Sequence, residues 1–374
     1  MTRGVRGPYF IDTSGRGNYA AVSSMGFEII GTGHYVPGEP VPNERLARVM
    51  DTSDDWIHQR SGIRQRHYAG EGQGASDLAL EAAKRALEAA RITPKEVDYI
   101  VFATMTPDYV FPGSGALLGA KLGIDGVPAL DIRQQCAAMI FGLQLVDGLT
   151  KSGAARTILF VGAEAHAGFM PWEDWDIVEG KSAREPTPEA RARANEHRAL
   201  AVLFGDGAGA LVFRATDRDA GLVAAKVHSD GRYAETLYVP GGGFRTRPYW
   251  KADHFDEQAH IPRMDGRDLF KFAVTKLPQT ARALCEEAKV PIGTIDWFLA
   301  HQANARINNY IREQLGVPPE KMPMNIARFG NTSAGTLPIL IDEVTREGKL
   351  KKGELNMMLA LGAGIHWGCA LVRW

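Results

Sequence analysis

The second half of this chain echoes its first. Val97-Asp98-Tyr99-Ile100 has a counterpart in Ile295-Asp296-Trp297-Phe298, an offset of 198 (Asp98 to Asp296). Phe160-Val161-Gly162-Ala163 matches Ala360-Leu361-Gly362-Ala363 at an offset of 200 (Phe160 to Ala360), and Cys136-Ala137-Ala138 falls against Ser333-Ala334-Gly335 at 197 (Cys136 to Ser333). Three matches so close to one offset describe a duplicated α/β unit of roughly 200 residues. Each half alternates strand-like and helical stretches. The expected halves are residues 26–214 and 215–374, with an extension at 1–25 and an insertion at 167–197. A site is expected between the halves, where equivalent helices meet near the carboxyl ends of the strands.

Short apolar runs bounded by Gly and Pro predict strands at Gly26–Val36, Val97–Thr104, Val127–Ile132, Thr157–Gly162 and Leu211–Phe213. Helical spacing follows Asn43, read as an N-cap, as far as Trp56. It follows Ser76, another cap, as far as Ala90. Residues 167–197 hold a Trp/Asp cluster and then KSAREPTPEARARANEHR, which reads as an exposed, partly helical insertion. GDGAGA at 205–210 precedes a strand rather than a helix, so it reads as a tight turn and not as a phosphate loop.

The stretch ALDIRQQCAAMIFGLQLVDG runs from a strand through a polar corner, Arg133-Gln134-Gln135, into a helix opened by Cys136. Ala137, Ile140, Phe141, Gln144 and Leu145 share one face of it. A free cysteine is usually a small buried hydrophobe. At a helix start, however, the macrodipole and the unpaired N–H groups favour its thiolate, which makes Cys136 a candidate nucleophile. His301, in LAHQANARI after a strand, and Asn331, in RFGNTSAG before the helix equivalent to that of Cys136, sit at matching corners of the repeat. Thiolate, imidazole and amide together suit acyl transfer followed by carbanion chemistry. The thiolate attacks a thioester while backbone N–H groups hold the oxyanion. His301 and Asn331, both as donors, then hold the carbonyl of a second thioester as it becomes an enolate.

DTSDDWIHQRSGIRQRH, the Cys136 segment, FGDGAGA, HQANARI, RFGNTSAGTLPI and GAGIHWGCALVRW, in that order, resemble the ketoacyl-ACP synthase III family of the thiolase fold. The likeness spans about Gly26 to Trp374 and omits the insertion. It implies an α/β, thiolase-like fold whose halves form a layered α-β-α-β-α core. It implies a decarboxylating Claisen condensation of an acyl-CoA with malonyl-ACP or malonyl-CoA through an acyl-Cys136 intermediate, giving a 3-oxoacyl product. His301 and Asn331 become the decarboxylation pair, and the amides of Cys136 and Ala363 the oxyanion hole. Trp56 and Arg198 would flank the CoA adenine, with Arg60 near the phosphates and Asn304 on the pantetheine arm. Arg306 would meet CoA or the carrier protein, whose docking helix here carries Arg306 and Arg312 but also Glu313. Phe111 would reach into the acyl pocket of the partner in a homodimer. CoA thioesters are substrates here, and no cofactor is implied.

Three positions depart from the family pattern. Ala138 replaces the Gly of Cys-Ala-Gly, Leu361 replaces an aromatic before the Gly-rich loop, and His366 replaces a small hydroxyl residue. They reshape the acyl pocket, and DIRQQC is as similar to specialised-metabolite synthases, alkylquinolone types included, as to fatty-acid ones. Two further readings keep the fold. One is an acyltransferase acting on an alcohol, an amine or a second acyl-CoA. The other is a non-catalytic partner subunit, which would not need Cys, His and Asn together.

Composition excludes several classes. Lys and Arg total 43 against 44 Asp and Glu, so no global field points to nucleic acid. No stretch approaches 18 apolar residues, so no membrane span is predicted. The ten histidines show no HExxH spacing, so no metal site is expected. GKS at 180–182 lacks the earlier Gly of a P-loop, and Asn331-Thr332-Ser333 spells a sequon only. Three cysteines make no disulfide framework; Cys285 and Cys369 read as structural and the protein as cytoplasmic. Residues 1–25 lack the apolar run of a signal peptide and read as a non-secretory extension.

Overall fold

A computed structural model describes residues 26–374; the extension at 1–25 lies outside the described residues. The first half runs β1 (Gly26–Tyr35), α1 (Asn43–Val49), α2 (Asp54–Ser61), α3 (Ala75–Ala90), β2 (Tyr99–Ala103), α4 (Ser114–Leu122), β3 (Ala129–Ile132), α5 (Ala138–Lys151), β4 (Thr157–Glu164), α6 (Pro188–Glu196) and β5 (Gly207–Thr216). The second runs β6 (Gly221–Ser229), α7 (Gly266–Ala288), β7 (Trp297–Ala300), α8 (Ala305–Leu315), α9 (Thr336–Arg346), β8 (Leu355–Gly362) and β9 (His366–Arg373), with shorter elements between. One sheet has the order β1-β5-β4-β2-β3 and the other β7-β8-β9-β6. β2 is parallel to β3 and β4, as β7 is to β8, while the remaining pairs are antiparallel.

The repeat runs at 198 throughout. Tyr99 pairs with Ile158 in one sheet and Trp297 with Asn356 in the other. The Asp98 carboxylate accepts from Thr157 N at 2.9 Å, and Asp296 accepts from Leu355 N at 2.9 Å. Gln135–Ala137 and Ser333–Gly335 are both 3-10 turns, and each opens on a left-handed residue, Gln135 (φ 49) and Ser333 (φ 45). Cys136 is therefore equivalent to Ala334 and not to Ser333, and Phe160 to Met358 and not to Ala360. The spacings of 197 and 200 came from shared small residues rather than shared backbone.

Five layers result. α5 and α9 lie between the sheets, where Met139, Leu143 and Leu340 pack with Phe160 and Phe213 of one sheet and Met358 of the other. α3 and α4 cover the outer face of the first sheet, and α7 and α8 that of the second. This is the layered α-β-α-β-α thiolase fold. β4 is covered on both faces, so every one of its residues is buried and Ile158 to Ala163 read as one continuous apolar run. α5 is likewise buried on most sides. Met139, Ile140, Gly142, Leu143 and Val146 are buried, whereas Gln144, grouped with Ile140 on one face by spacing, is exposed.

Several local readings change. The 43–56 segment is two helices, because Ser53 accepts from Trp56 N at 3.1 Å and starts α2 afresh. Asn43 does not cap; its amide donates to Ile63 O and Asp54, both at 2.8 Å. Ser76 lies inside α3 and donates to Asp108 at 2.7 Å, while Asp77 reaches back to Gly74 N at 3.0 Å. Gly207 to Gly209 belong to β5 rather than to a turn. The 167–197 segment is partly helical but not simply exposed. Trp172, Ile177, Val178 and Ala194 pack against Leu46 and Ile57 of α1 and α2.

Candidate active site

One cavity of about 270 Å³ opens between the halves. Its walls are apolar, with Leu203, Phe204, Leu237, Leu269, Phe270 and Leu359 among them. Cys136, His301 and Asn331, 195 residues apart in sequence at the extremes (136 to 331), all line it. The duplication explains the convergence. Cys136 sits in the turn before α5, Asn331 just before the equivalent turn, and His301 directly after β7.

The turn holding Cys136 is pressed by the end of β8. A Cβ on Gly362 would lie 2.9 Å from the backbone nitrogens of both Cys136 and Ala137, so only glycine lets the strand approach so closely. Ala363 follows and also lines the cavity. Cys136 is 7% exposed, and burial, with a smaller push from the Glu164 carboxylate, raises its thiol to about 12. The Ser333 hydroxyl, which accepts from Cys136 Sγ at 3.3 Å, opposes this only in part. The sequence reading favoured a thiolate, but here desolvation outweighs the helix start. Cys136 also precedes α5 by a 3-10 turn instead of occupying its first turn.

His301 is buried too, which lowers it to about 3 and keeps the ring neutral. Thr336 Oγ1 donates to Ser333 O at 3.0 Å, so it receives the hydrogen of His301 Nδ1 at 2.5 Å. That assignment leaves Nε2 with the lone pair. Asn331 Oδ1 accepts from Ser333 N at 2.9 Å, and its NH2 is left to donate. The resting site thus pairs a neutral thiol with a neutral imidazole.

The expected binding residues divide. Trp56, Arg60, Asn304 and Leu361 line the cavity. The guanidiniums of Arg60 and Arg198 stack on Trp56 at 4.4 and 4.6 Å, and Arg198 also donates to Asp51 O. An adenine between Trp56 and Arg198 would have to part them. Asn304 is already engaged as the cap of α8, accepting from Arg306 N at 2.9 Å and donating to Arg60 O at 2.9 Å. Arg306 lies 5.8 Å from the Phe270 ring at the cavity wall. Phe111 is 79% exposed, beside exposed Tyr109 and Val110, and does not line the cavity of its own chain.

Sequence reading missed three residues. Glu164 is a fully buried carboxylate that accepts from Thr104 Oγ1, Met105 N, Thr106 N and Thr106 Oγ1, and from Ala334 N at 3.4 Å. It ties the loop after β2 to the Ser333 turn. Ser333 and Thr336 stood inside the RFGNTSAGT motif, but only the fold shows what they touch. Among the described residues no group of three His, Cys, Asp or Glu side chains is placed to hold a metal ion, and no helix is long and apolar enough to cross a membrane. Cys285 and Cys369 are buried free thiols.

The family model described as 3-oxoacyl-[acyl-carrier-protein] synthase III matches residues 130–179 and 190–231, and the model of its C-terminal part matches 285–374. A beta-ketoacyl-[acyl-carrier-protein] synthase III of Rhizorhabdus wittichii is 38% identical over 347 residues, 92% of this chain and 98% of the relative. The chain belongs to the 3-oxoacyl-ACP synthase III family. Within that family, the crystal structure of the Aquifex aeolicus enzyme superposes with a TM-score of 0.80 at 36% identity, over 93% of this chain and 100% of that one. The priming β-ketosynthase of the R1128 polyketide pathway superposes at 0.79 with 26% identity, over 93% and 96%. The chain is thus an acyl-transferring condensing enzyme of the synthase III type.

Proposed function

We propose that Cys136 accepts an acyl group from an acyl-CoA. A malonyl thioester, on an acyl carrier protein or on CoA, then loses CO2 beside His301 and Asn331, and its enolate attacks the acyl-cysteine to release a 3-oxoacyl thioester. The observation carrying this reading is the convergence of Cys136, His301 and Asn331 in one apolar cavity. In the first half-reaction Sγ attacks the thioester carbonyl, its proton leaves with the CoA thiol, and the Cys136 and Ala363 amides hold the oxyanion. In the second, Asn331 donates to the malonyl carbonyl. His301 joins it there, its ring held by the Thr336 bond to Nδ1. Low polarity favours decarboxylation, because the carboxylate disperses its charge as CO2 leaves.

Trp56, Arg60, Arg198, Asn304 and Arg306 form the CoA mouth in this reading, after Arg198 moves off Trp56. The exposed Phe111 loop supports a homodimer in which each Phe111 enters the partner's acyl pocket. No cofactor takes part, and Arg306 and Arg312 are offered to a carrier protein. Leu361 in place of an aromatic leaves room for a primer larger than acetyl.

The test is to measure the half-reactions separately. Cys136→Ala abolishes acylation, whereas His301→Ala and Asn331→Ala retain acylation and lose CO2 release from malonyl thioester. Condensation by Cys136→Ala would overturn the mechanism. A product lacking the mass of a decarboxylated malonyl unit would point to transfer onto another nucleophile.

A further inference from the structure

Ser333 has no part in the mechanism above, yet each of its polar groups holds one of the three site residues. Its Oγ accepts from Cys136 Sγ at 3.3 Å. Its N–H donates to Asn331 Oδ1 at 2.9 Å. Its carbonyl accepts from Thr336 Oγ1 at 3.0 Å, and Thr336 Oγ1 in turn receives His301 Nδ1 at 2.5 Å. Ser333 is fully buried with φ 45, a left-handed conformation that side chains other than glycine and asparagine rarely adopt, and this turn is what sends the three groups in three directions. The turn is clamped by Glu164 on Ala334 N, and Gly335 lies where a Cβ would come within 3.0 Å of Gly207 O. The Ser333 hydroxyl hydrogen rests on Met105 Sδ at 3.8 Å, a weak acceptor that releases it readily to a sulfur acquiring charge.

We propose that Ser333 is the positioning residue of this enzyme, serving the two half-reactions through separate groups. Its hydroxyl serves acylation at Cys136, and its carbonyl, through Thr336, serves decarboxylation at His301. The inference rests on the function proposed above. It makes the two contributions separable, because a side-chain change at Ser333 leaves its backbone bonds in place and a change at Thr336 leaves the Cys136 contact in place.

The experiment reads acylation by intact mass from acyl-CoA, CO2 release from malonyl-CoA, and the pH profile of Cys136 alkylation. Ser333→Ala slows acylation about tenfold, the value of one hydrogen bond to a developing charge. It moves the alkylation profile to higher pH and leaves CO2 release within about twofold of wild type. Ser333→Gly, which relieves the left-handed backbone, shows the same acylation defect with no loss of melting temperature, so the defect is not misfolding. Thr336→Val slows CO2 release about tenfold and leaves the alkylation profile in place, and Thr336→Ser restores the rate. If Ser333→Ala slows both half-reactions equally, or neither, while wild type performs both, the positioning role is wrong and the proposed function stands. If wild type neither acylates Cys136 nor releases CO2, the function fails and the positioning role with it.

Discussion

Replacing Gly162 by alanine would put a methyl group where Ala334 already is. A Cβ built on Gly162 lies 2.1 Å from Ala334 O and 2.7 Å from Ala334 C, whereas an ordinary C···O contact is about 3.3 Å. The Ser333–Gly335 turn must therefore retreat by about 1 Å, because β4 is buried along its whole length and has little freedom to move away. That turn carries the partners of Cys136 and Asn331, and its Ser333 carbonyl holds Thr336, the partner of His301. A displacement of about 1 Å in such a site costs on the order of 10²-fold in rate, and overpacking costs about 1–3 kcal/mol in stability. Gly148→Ala is the control. Gly148 lies in α5 with nothing within 4 Å of a built Cβ, so alanine there adds about 0.5–1 kcal/mol of helix stability. Urea unfolding and condensation rate, measured on both variants, decide the matter. A Gly162→Ala enzyme with wild-type midpoint and rate would refute the claim that this contact sets the site.

Other expectations follow from the same structure. With the Cys136 thiol at about 12, iodoacetamide labelling should rise about tenfold per pH unit from pH 6 to 9 without a plateau; a plateau near pH 7 would reveal a preformed thiolate. His301, lowered to about 3 by burial, binds no proton in the folded state where the unfolded chain, near 6.5, does. The unfolded state thus binds more protons between these values, and this group's contribution to stability falls with decreasing pH by up to about 1.4 kcal/mol per unit. His301→Gln should therefore be less sensitive to acid in urea titrations at pH 4 and 7, and equal sensitivity would contradict the burial argument. Phe27 meets Phe213 edge-on at 5.0 Å in the core, so Phe27→Ala should cost about 3–5 kcal/mol in urea unfolding. A loss below about 1 kcal/mol would mean that the site collapses around the gap.

The duplication was legible because strand ends repeat their chemistry: Asp98 and Asp296 close the same corner of each sheet. Its register was not, since Cys136 and Ser333 look alike as small residues while the backbone pairs Gln135 with Ser333 through their left-handed φ. Cys136, His301 and Asn331 stood out by type and corner position. Glu164, Ser333 and Thr336 did not, because their work is done through contacts across as many as 228 residues of chain. Caps were misread at Asn43 and Ser76, where tertiary partners, Ile63 O and Asp108, captured the side chains that local rules assign to helix ends. The thiolate expectation failed for a related reason: the macrodipole is visible in sequence, whereas the desolvation that outweighs it exists only once the sheets close.

Intact-protein mass spectrometry after incubation with acyl-CoAs from C2 to C16, with Cys136→Ala alongside, tests the acyl-cysteine step most directly. The account predicts an adduct of the acyl mass on the native chain and none on Cys136→Ala, strongest at C2 to C4 for a fatty-acid initiator and at longer or aromatic chains for a specialised synthase. No adduct with any primer, or an adduct that survives in Cys136→Ala, would contradict it.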